Sequence, residues 1–210
     1  MRPGKGDILV KIFADAAAAF VAEDYDEAIR LAEQSKHMAL RAVAPRELLG
    51  LAFYQAGRWQ EAIRELSTFR RLSGASDQNP VLADCYRALG KPEKALALCN
   101  EIRPGSVPAA VAYEGAIVAA GALADMGRLD EAIERLEALD LSPGVAEEHH
   151  LRAWYVLGDL SERRGRFTQA RSWFEAVAEA DPELTDAQER ADRLRAPSRP
   201  AAGDGGMSST

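Results

Sequence analysis

The sequence predicts an all-α protein in which similar two-helix units lie side by side, and two observations predict it. The chain is rich in Ala, Leu, Glu and Arg, a mixture that favours helices, while only 7% of its residues are aromatic. Close packing of small side chains must therefore bury much of its apolar surface. One short phrase also recurs along the chain, each time between a helix-patterned stretch and the start of another.

The recurring phrase, as in GRWQEAIREL and GRLDEAIERL, occurs five times. Each copy contains one alanine in the same position, and these alanines are Ala28, Ala62, Ala95, Ala132 and Ala170. The intervals between them are 34, 33, 37 and 38 residues. A unit of this size cannot bury its own apolar face, so neighbouring units must stack. The sequence predicts five helical hairpins, at about 8–44, 45–77, 78–108, 109–145 and 146–182.

Each hairpin has a corner with the same composition. Four copies begin with a glycine, which closes the first helix by adopting a left-handed conformation. Acidic residues such as Asp130 and Glu131 follow in the first turn of the second helix, where they favour the helix dipole. The shared alanine lets the two helix axes approach closely.

These units resemble the tetratricopeptide repeat, whose unit is about 34 residues long. The last unit matches its pattern at Trp154, Leu157, Gly158, Gly165, Phe167, Ala170, Phe174 and Pro182. The first unit is a weak match, with Glu23 where the others have glycine, which is typical of a terminal repeat. The resemblance implies a right-handed superhelical solenoid of five hairpins.

Three segments depart from the repeat. The two longest intervals add residues near 104–108 and 141–144, which are rich in turn residues and could change the superhelical pitch. Residues 185–188 resemble a capping box, so a capping helix is expected over 183–195. Residues 1–7 and the Pro/Gly/Ser-rich tail 196–210 are expected to be disordered.

The resemblance also implies a groove lined by the first helix of every unit. The positions of this candidate partner-binding groove are Phe13, Phe20, Glu47, Leu51, Tyr54, Asp84, Arg87, Ile117, Asp125, Tyr155, Asp159, Glu162 and Arg163. They are apolar and aromatic toward the N terminus and acidic toward the C terminus. The Lys and Asn clamp by which the family's chaperone-tail receptors hold a carboxylate is absent.

The groove favours a non-enzymatic adaptor whose protein partner carries apolar anchors and basic residues. Two alternatives stay open. Phe13, Phe20 and Val21 could instead be covered by a second copy, giving a self-assembling scaffold and a homo-oligomer, or by the N-terminal segment. The chain could also be a regulatory domain that acts on a separate enzyme or transcription factor.

No catalytic motif, nucleotide-binding loop or cofactor motif is found. His149 and His150 follow Glu147 and Glu148, but adjacent residues of a helix point in different directions and cannot converge on one metal ion without ligands from elsewhere. We therefore expect no catalytic residue, no metal and no cofactor.

The charge and the remaining segments limit the partners further. A net charge of −7 argues against nucleic-acid binding. The apolar run 8–22 is interrupted by Lys11 and Asp15 and is too short to span a membrane, so a cytoplasmic protein is expected. Cys85 and Cys99 are expected to be buried free thiols, although the sequence leaves a disulfide open.

Overall fold

The computed structural model describes residues 4–103, 105–184 and 186–195, and in these it contains eleven helices and no strand. The prediction of an all-α fold built from helical hairpins is confirmed. The helices are α1 (Lys5–Val21), α2 (Tyr25–Met38), α3 (Ala44–Gln55), α4 (Trp59–Ser73), α5 (Asn79–Ala88), α6 (Pro92–Asn100), α7 (Ala109–Asp125), α8 (Leu129–Glu137), α9 (Glu148–Arg163), α10 (Phe167–Ala180) and α11 (Ala187–Arg193).

The chain divides into two compact units, the first ending at Ala153 and the second beginning at Trp154. The first unit contains the hairpins α1–α2, α3–α4, α5–α6 and α7–α8, and each helix contacts the next in chain order. Contacts also join α1 to α3, α3 to α5 and α5 to α7. The first helices of these hairpins therefore form one continuous layer, and we call its exposed surface the inner face.

The hairpin corners have the geometry that the sequence predicts. Gly57, Gly90, Gly127 and Gly165 have φ between 67° and 79°, a range that only glycine adopts without strain. Glu23 occupies the same corner of the first hairpin with φ 60°. All five shared alanines are completely buried. Each alanine fits its methyl group between the two helices, but a larger side chain would meet the facing helix.

In each of two hairpins, a glycine inside the first helix lets the second helix approach closely. A Cβ atom on Gly50 would lie 2.6 Å from Cδ2 of Leu66, and one on Gly158 would lie 2.6 Å from Cε1 of Phe174. Leu66 and Phe174 are themselves completely buried. These glycines of the repeat pattern are therefore required by close helix packing in α3–α4 and in the second unit.

The second unit contains the rest of α9, followed by α10 and α11. Phe174 of α10 packs against Gly158 of α9, and α11 contacts α10. The expected capping helix is present but short, covering Ala187–Arg193. The predicted capping box includes Thr185, which lies outside the described residues.

Helix α1 begins earlier than the sequence suggests. It starts at Lys5, inside the segment expected to be disordered, because the backbone N–H of Gly4 donates to Oδ2 of Asp7 at 2.9 Å and closes the first turn. Residues 1–3 and the tail 196–210 lie outside the described residues.

The longer repeat intervals contain both longer connections and longer first helices. Helices α7 and α9 have 17 and 16 residues, whereas α3 and α5 have 12 and 10. Helices α6 and α8, in contrast, have only 9 residues each, and longer connections follow them. Nearby, Cys85 and Cys99 are buried free thiols, as predicted.

Candidate binding site on the inner face

The part of the inner face formed by α1 is apolar. Phe13 and Ala17 are half-buried, and Val21 is 82% exposed. Helical spacing places Val10, which is 68% exposed, on the same stripe. Phe20 is half-buried as well, but its ring meets Tyr25 edge-on at 5.8 Å and packs against the core. Of the two aromatic groups predicted on α1, Phe20 is therefore engaged with the core.

The part formed by α3 combines an apolar side chain with polar ones. Leu51 is half-buried. Glu47 accepts a hydrogen bond of 2.9 Å from the side-chain amide of Gln78. Tyr54 packs edge-on against Trp59 at 5.5 Å, which holds its hydroxyl group toward α5.

A continuous chain of hydrogen bonds crosses the inner face from α3 to α7, and we call it the polar ladder. The hydroxyl of Tyr54 donates to Oδ2 of Asp84 at 2.9 Å. The guanidinium of Arg87 donates to Oδ1 of Asp84 at 2.9 Å and, through Nε, to Oδ2 of Asp125 at 2.9 Å. The polar ladder therefore ties three successive hairpins together through their first helices.

Gly121 makes the last step of the polar ladder possible. A Cβ atom at this position would lie 2.5 Å from Cζ of Arg87. The guanidinium group therefore lies flat against the backbone of α7, where any other residue would displace it. A space of about 490 Å³ opens beside it, lined by Asp84, Arg87, Ala88, Gly90, Pro92 and Asp125.

The electrostatics of the polar ladder follow from partial burial. Burial, and then the charge of Asp84, raises the pKa of Tyr54 well above its usual value. Burial opposes the charge of Arg87, but its bonds to Asp125 and Asp84 outweigh that effect and raise its pKa. Tyr54 stays neutral and Arg87 stays charged at every physiological pH.

Glu114 adds a carboxylate that the groove positions do not include. It lies one turn before Ile117 on α7, and its side chain accepts a hydrogen bond of 3.0 Å from Arg152. Burial raises the pKa of Glu114 despite Arg152, and the charge of Asp84 raises it further. The helical spacing from the half-buried Ile117 could have revealed it from the sequence.

In the second unit the predicted groove positions lie against α11. The guanidinium of Arg190 donates to Oδ1 of Asp159 at 2.9 Å and to Oε2 of Glu162 at 2.6 Å. Its Cζ lies 4.3 Å from the ring centre of Phe174, and Tyr155 donates its hydroxyl to Asp186 at 2.7 Å. The sequence analysis missed Arg190.

The carboxylates expected at the C-terminal end of the groove are therefore already paired. Burial opposes the charge of Arg190, but its bonds to Glu162, Tyr155 and Asp159 raise its pKa above the usual range. Arg163 is exposed and lies 3.7 Å from Oδ2 of Asp159. Only Arg163 of the four predicted positions in this unit is directed mainly to solvent.

The neighbouring histidines stack rather than converge. The ring centres of His149 and His150 lie 4.1 Å apart, and both rings meet Tyr113 edge-on. The backbone N–H of Glu147 donates to Nδ1 of His150 at 3.0 Å. Among the described residues no three His, Cys, Asp or Glu side chains come together as a metal ion requires. None of the described helices is both long enough and apolar enough to cross a bilayer.

Comparison with known proteins gives the family of the chain. The family model of the tetratricopeptide repeat matches residues 13–80 and 117–185, more than half of the sequence. The chain belongs to the tetratricopeptide repeat family. Tetratricopeptide repeats are protein-interaction modules, and proteins of this family bind protein or peptide partners. No curated protein is similar enough in sequence to match the chain.

Solved structures share the fold at low sequence identity. A thermophilic tetratricopeptide repeat protein of Thermus thermophilus has a TM-score of 0.68 at 18% identity, over 89% of this chain and 98% of its own. YrrB, described as having an unusual peptide-binding site, has a TM-score of 0.58 at 17% identity, over 86% of this chain and 90% of its own. The apo quorum sensor NprR from B. thuringiensis has a TM-score of 0.75 at 12% identity, over 91% of this chain but 58% of its own.

Proposed function

We propose that this tetratricopeptide repeat protein is a non-enzymatic adaptor that holds a peptide or a partner helix on the inner face of its first unit. The partner's apolar anchors lie against α1 and Leu51, and its basic residues lie against α3, α5 and α7. The observation that carries the proposal is an exposed apolar stripe that continues into a surface with an excess of carboxylates.

The apolar stripe supplies the affinity. Val10 and Val21 are 68% and 82% exposed, and they share one side of α1 with Phe13 and Ala17. Exposed apolar side chains that form a continuous stripe are typical of protein-binding surfaces. Burial of this stripe by a partner side chain would remove apolar surface from water, which is the largest favourable term in association.

The carboxylates supply orientation and selectivity. Glu47, Asp84, Glu114 and Asp125 lie on α3, α5 and α7, and in the described part of the chain their arginine partners are Arg87 and Arg152. The surface therefore keeps a negative excess although its side chains are hydrogen-bonded to one another. Such a surface favours and orients a partner with Lys or Arg residues.

Selection of peptides followed by matched variants tests the proposal. A phage-displayed library of random peptides is selected on the full chain, and a selected peptide is titrated calorimetrically. Leu51→Arg should weaken its binding by about tenfold or more, because it blocks the inner face and repels basic residues. Leu72→Arg makes the same change at an exposed leucine of α4 and should leave binding unchanged.

Two outcomes would overturn the proposal. One is a set of selected peptides without basic or large apolar residues. The other is binding that Leu51→Arg and Glu47→Lys both leave intact while circular dichroism shows that each variant is folded.

The exposure of α1 also favours a second candidate, a scaffold that assembles from copies of this chain. Val10 and Val21 could be covered by α1 of another copy instead of by a partner. Size-exclusion chromatography with light scattering distinguishes the two. A mass that rises with concentration and returns to that of one chain in Val21→Arg supports the scaffold, and a constant mass of one chain removes it.

A further inference from the structure

A second site lies in the first unit, away from the inner face. A cavity of about 680 Å³ opens among the end of α6, the first half of α7 and the end of α8. It is lined by Cys99, Asn100, Ile102, Gly105, Val107, Ala109, Ala112, Tyr113, Gly115, Ala116, Arg135, Ala138, Leu139 and Asp140. This volume falls within the range of about 300–1,000 Å³ that is usual for small-molecule sites.

The cavity arises from the lengths of the helices. Helix α7 has 17 residues, but its neighbours α6 and α8 have only 9 each. The first turns of α7 therefore lie partly beside the segments that follow α6 and α8, and Ile102 and Asp140 of these segments line the cavity. Small residues of α7, chiefly Ala112 and Ala116, leave the space open.

Most of the lining is apolar, and its polar groups are largely engaged. The hydroxyl of Tyr113 donates to the backbone carbonyl of Asp140 at 2.5 Å. The carboxylate of Asp140 accepts from the backbone N–H of Ser142 at 3.1 Å. Cys99 is buried, and burial raises the pKa of its thiol to about 12, so it is neutral.

Arg135 differs from the rest of the lining because it brings a positive charge. Its side chain is half-buried, and in the described part of the chain it has no ion pair or hydrogen-bond partner. The acidic Glu131, one turn earlier on α8, pairs instead with Arg128 at 2.5 Å. A guanidinium group without a partner at the edge of an apolar cavity is an anion-binding group.

We propose that this cavity binds a small carboxylate with an apolar body, whose carboxylate group pairs with Arg135 while its apolar part fills the space beside Ala112 and Ala116. The site is separate from the inner face, because Ala112 and Ala116 lie on a different side of α7 from Ile117 and Gly121. The proposal does not depend on the adaptor function.

Titration with decanoate and with decanol tests the proposal. Both have the same apolar chain, but only decanoate carries a charge. Decanoate should bind the full chain saturably in a one-to-one ratio below its micelle-forming concentration. Arg135→Gln should weaken decanoate binding about tenfold and leave decanol binding unchanged, because it removes a charge-assisted hydrogen bond and keeps the cavity.

Two further variants locate the site. Ala112→Phe fills the cavity and should abolish binding of both compounds. If circular dichroism shows that Ala112→Phe has lost helix, Ala109→Phe, at an exposed position of the cavity lining, is used in its place. Arg64→Gln removes an exposed arginine of α4 and should change nothing. The proposal is overturned by an absence of decanoate binding, by equal binding to Arg135→Gln, or by decanoate binding that survives the filled cavity.

Discussion

Glu23 holds the one strained backbone position, among the described residues, that a single substitution can relieve. Its φ of 60° is the conformation that glycine supplies in the other four corners. A left-handed conformation costs a residue with a Cβ atom about 1–2 kcal/mol. Glu23→Gly removes this cost, but the greater conformational entropy of glycine in the unfolded chain offsets part of the gain. The substitution should therefore raise the free energy of unfolding by up to about 1 kcal/mol.

Chemical denaturation measures this change, and the reverse substitution is its control. Gly90→Glu places a glutamate in the corresponding corner, where φ is 67°, and should lower the free energy of unfolding. Equal stability of the two variants and the unchanged chain would contradict the geometry of these corners.

His149 makes stability depend on pH. Burial, and then the charge of His150, lowers the pKa of His149 below its ordinary value of 6.5. The unfolded chain therefore binds a proton more readily than the folded chain, and stability is lost as the pH falls below about 6.5. The melting temperature should drop from about pH 7.5 to about pH 5.5, a window that spans the ordinary histidine pKa.

A matched pair of variants assigns the effect. His149→Gln should flatten the fall in melting temperature, because it removes the group that gains a proton on unfolding. His37 is exposed, so His37→Gln should leave the fall unchanged. A slope that both variants alter equally would show that His149 is not its cause.

At the scale of the helix, the shared alanines fix how closely the two helices of a hairpin pack. Ala132 is completely buried between α7 and α8. Ala132→Tyr should overpack this hairpin and lower the free energy of unfolding by about 1–3 kcal/mol or more. Glu134→Tyr adds the same side chain at an exposed position two residues away and should have little effect. Thermal denaturation of both variants gives the comparison.

Helix α11 should depend on one side chain. Its seven residues are too few to be stable alone, and Arg190 supplies the bonds to Asp159 and Glu162. Arg190→Ala should therefore weaken the docking of α11 by about 2 kcal/mol, the size expected for lost hydrogen bonds between charged groups. Amide hydrogen exchange should speed up in α11, whereas the exposed Arg193→Ala should leave it slow.

The elements show why the fold could be predicted from the sequence more fully than the site. Glycine, alanine and helical spacing act locally, so the corners at Gly57, Gly90, Gly127 and Gly165 follow from each repeat alone. The partners of Arg87 and Arg190 lie 38 and 31 residues away, and no local pattern specifies them. The sequence therefore placed carboxylates on the groove positions but could not say which arginine neutralises each one.

The cavity beside Arg135 could not be predicted from the sequence either. The sequence located the extra residues after the third and fourth units, but two structures were compatible with them, a longer helix or a longer connection. The structure has both, because α7 and α9 are long and longer connections follow the short helices α6 and α8. The cavity depends on where α6 and α8 end, and helix ends are the least regular part of the repeat.

For the molecule as a whole, the charge should make partner binding sensitive to salt. The chain carries a net charge of −7, and the inner face keeps an excess of carboxylates. The association rate of a basic peptide selected on the full chain should fall on the order of tenfold from low to high ionic strength, because salt screens long-range attraction. Stopped-flow fluorescence measures this rate. A peptide with its basic residues replaced by Gln should bind more slowly and show little salt dependence.

Gly121 decides what the middle of the inner face offers to a ligand. With no side chain there, the arginine of the polar ladder rests on α7 and masks two aspartates. A methyl group at that point would lift the arginine away and uncover both acids. The missing methyl group at Gly121 thus sets how much negative charge the inner face exposes. A homologous chain with alanine at this position should prefer a more strongly cationic ligand.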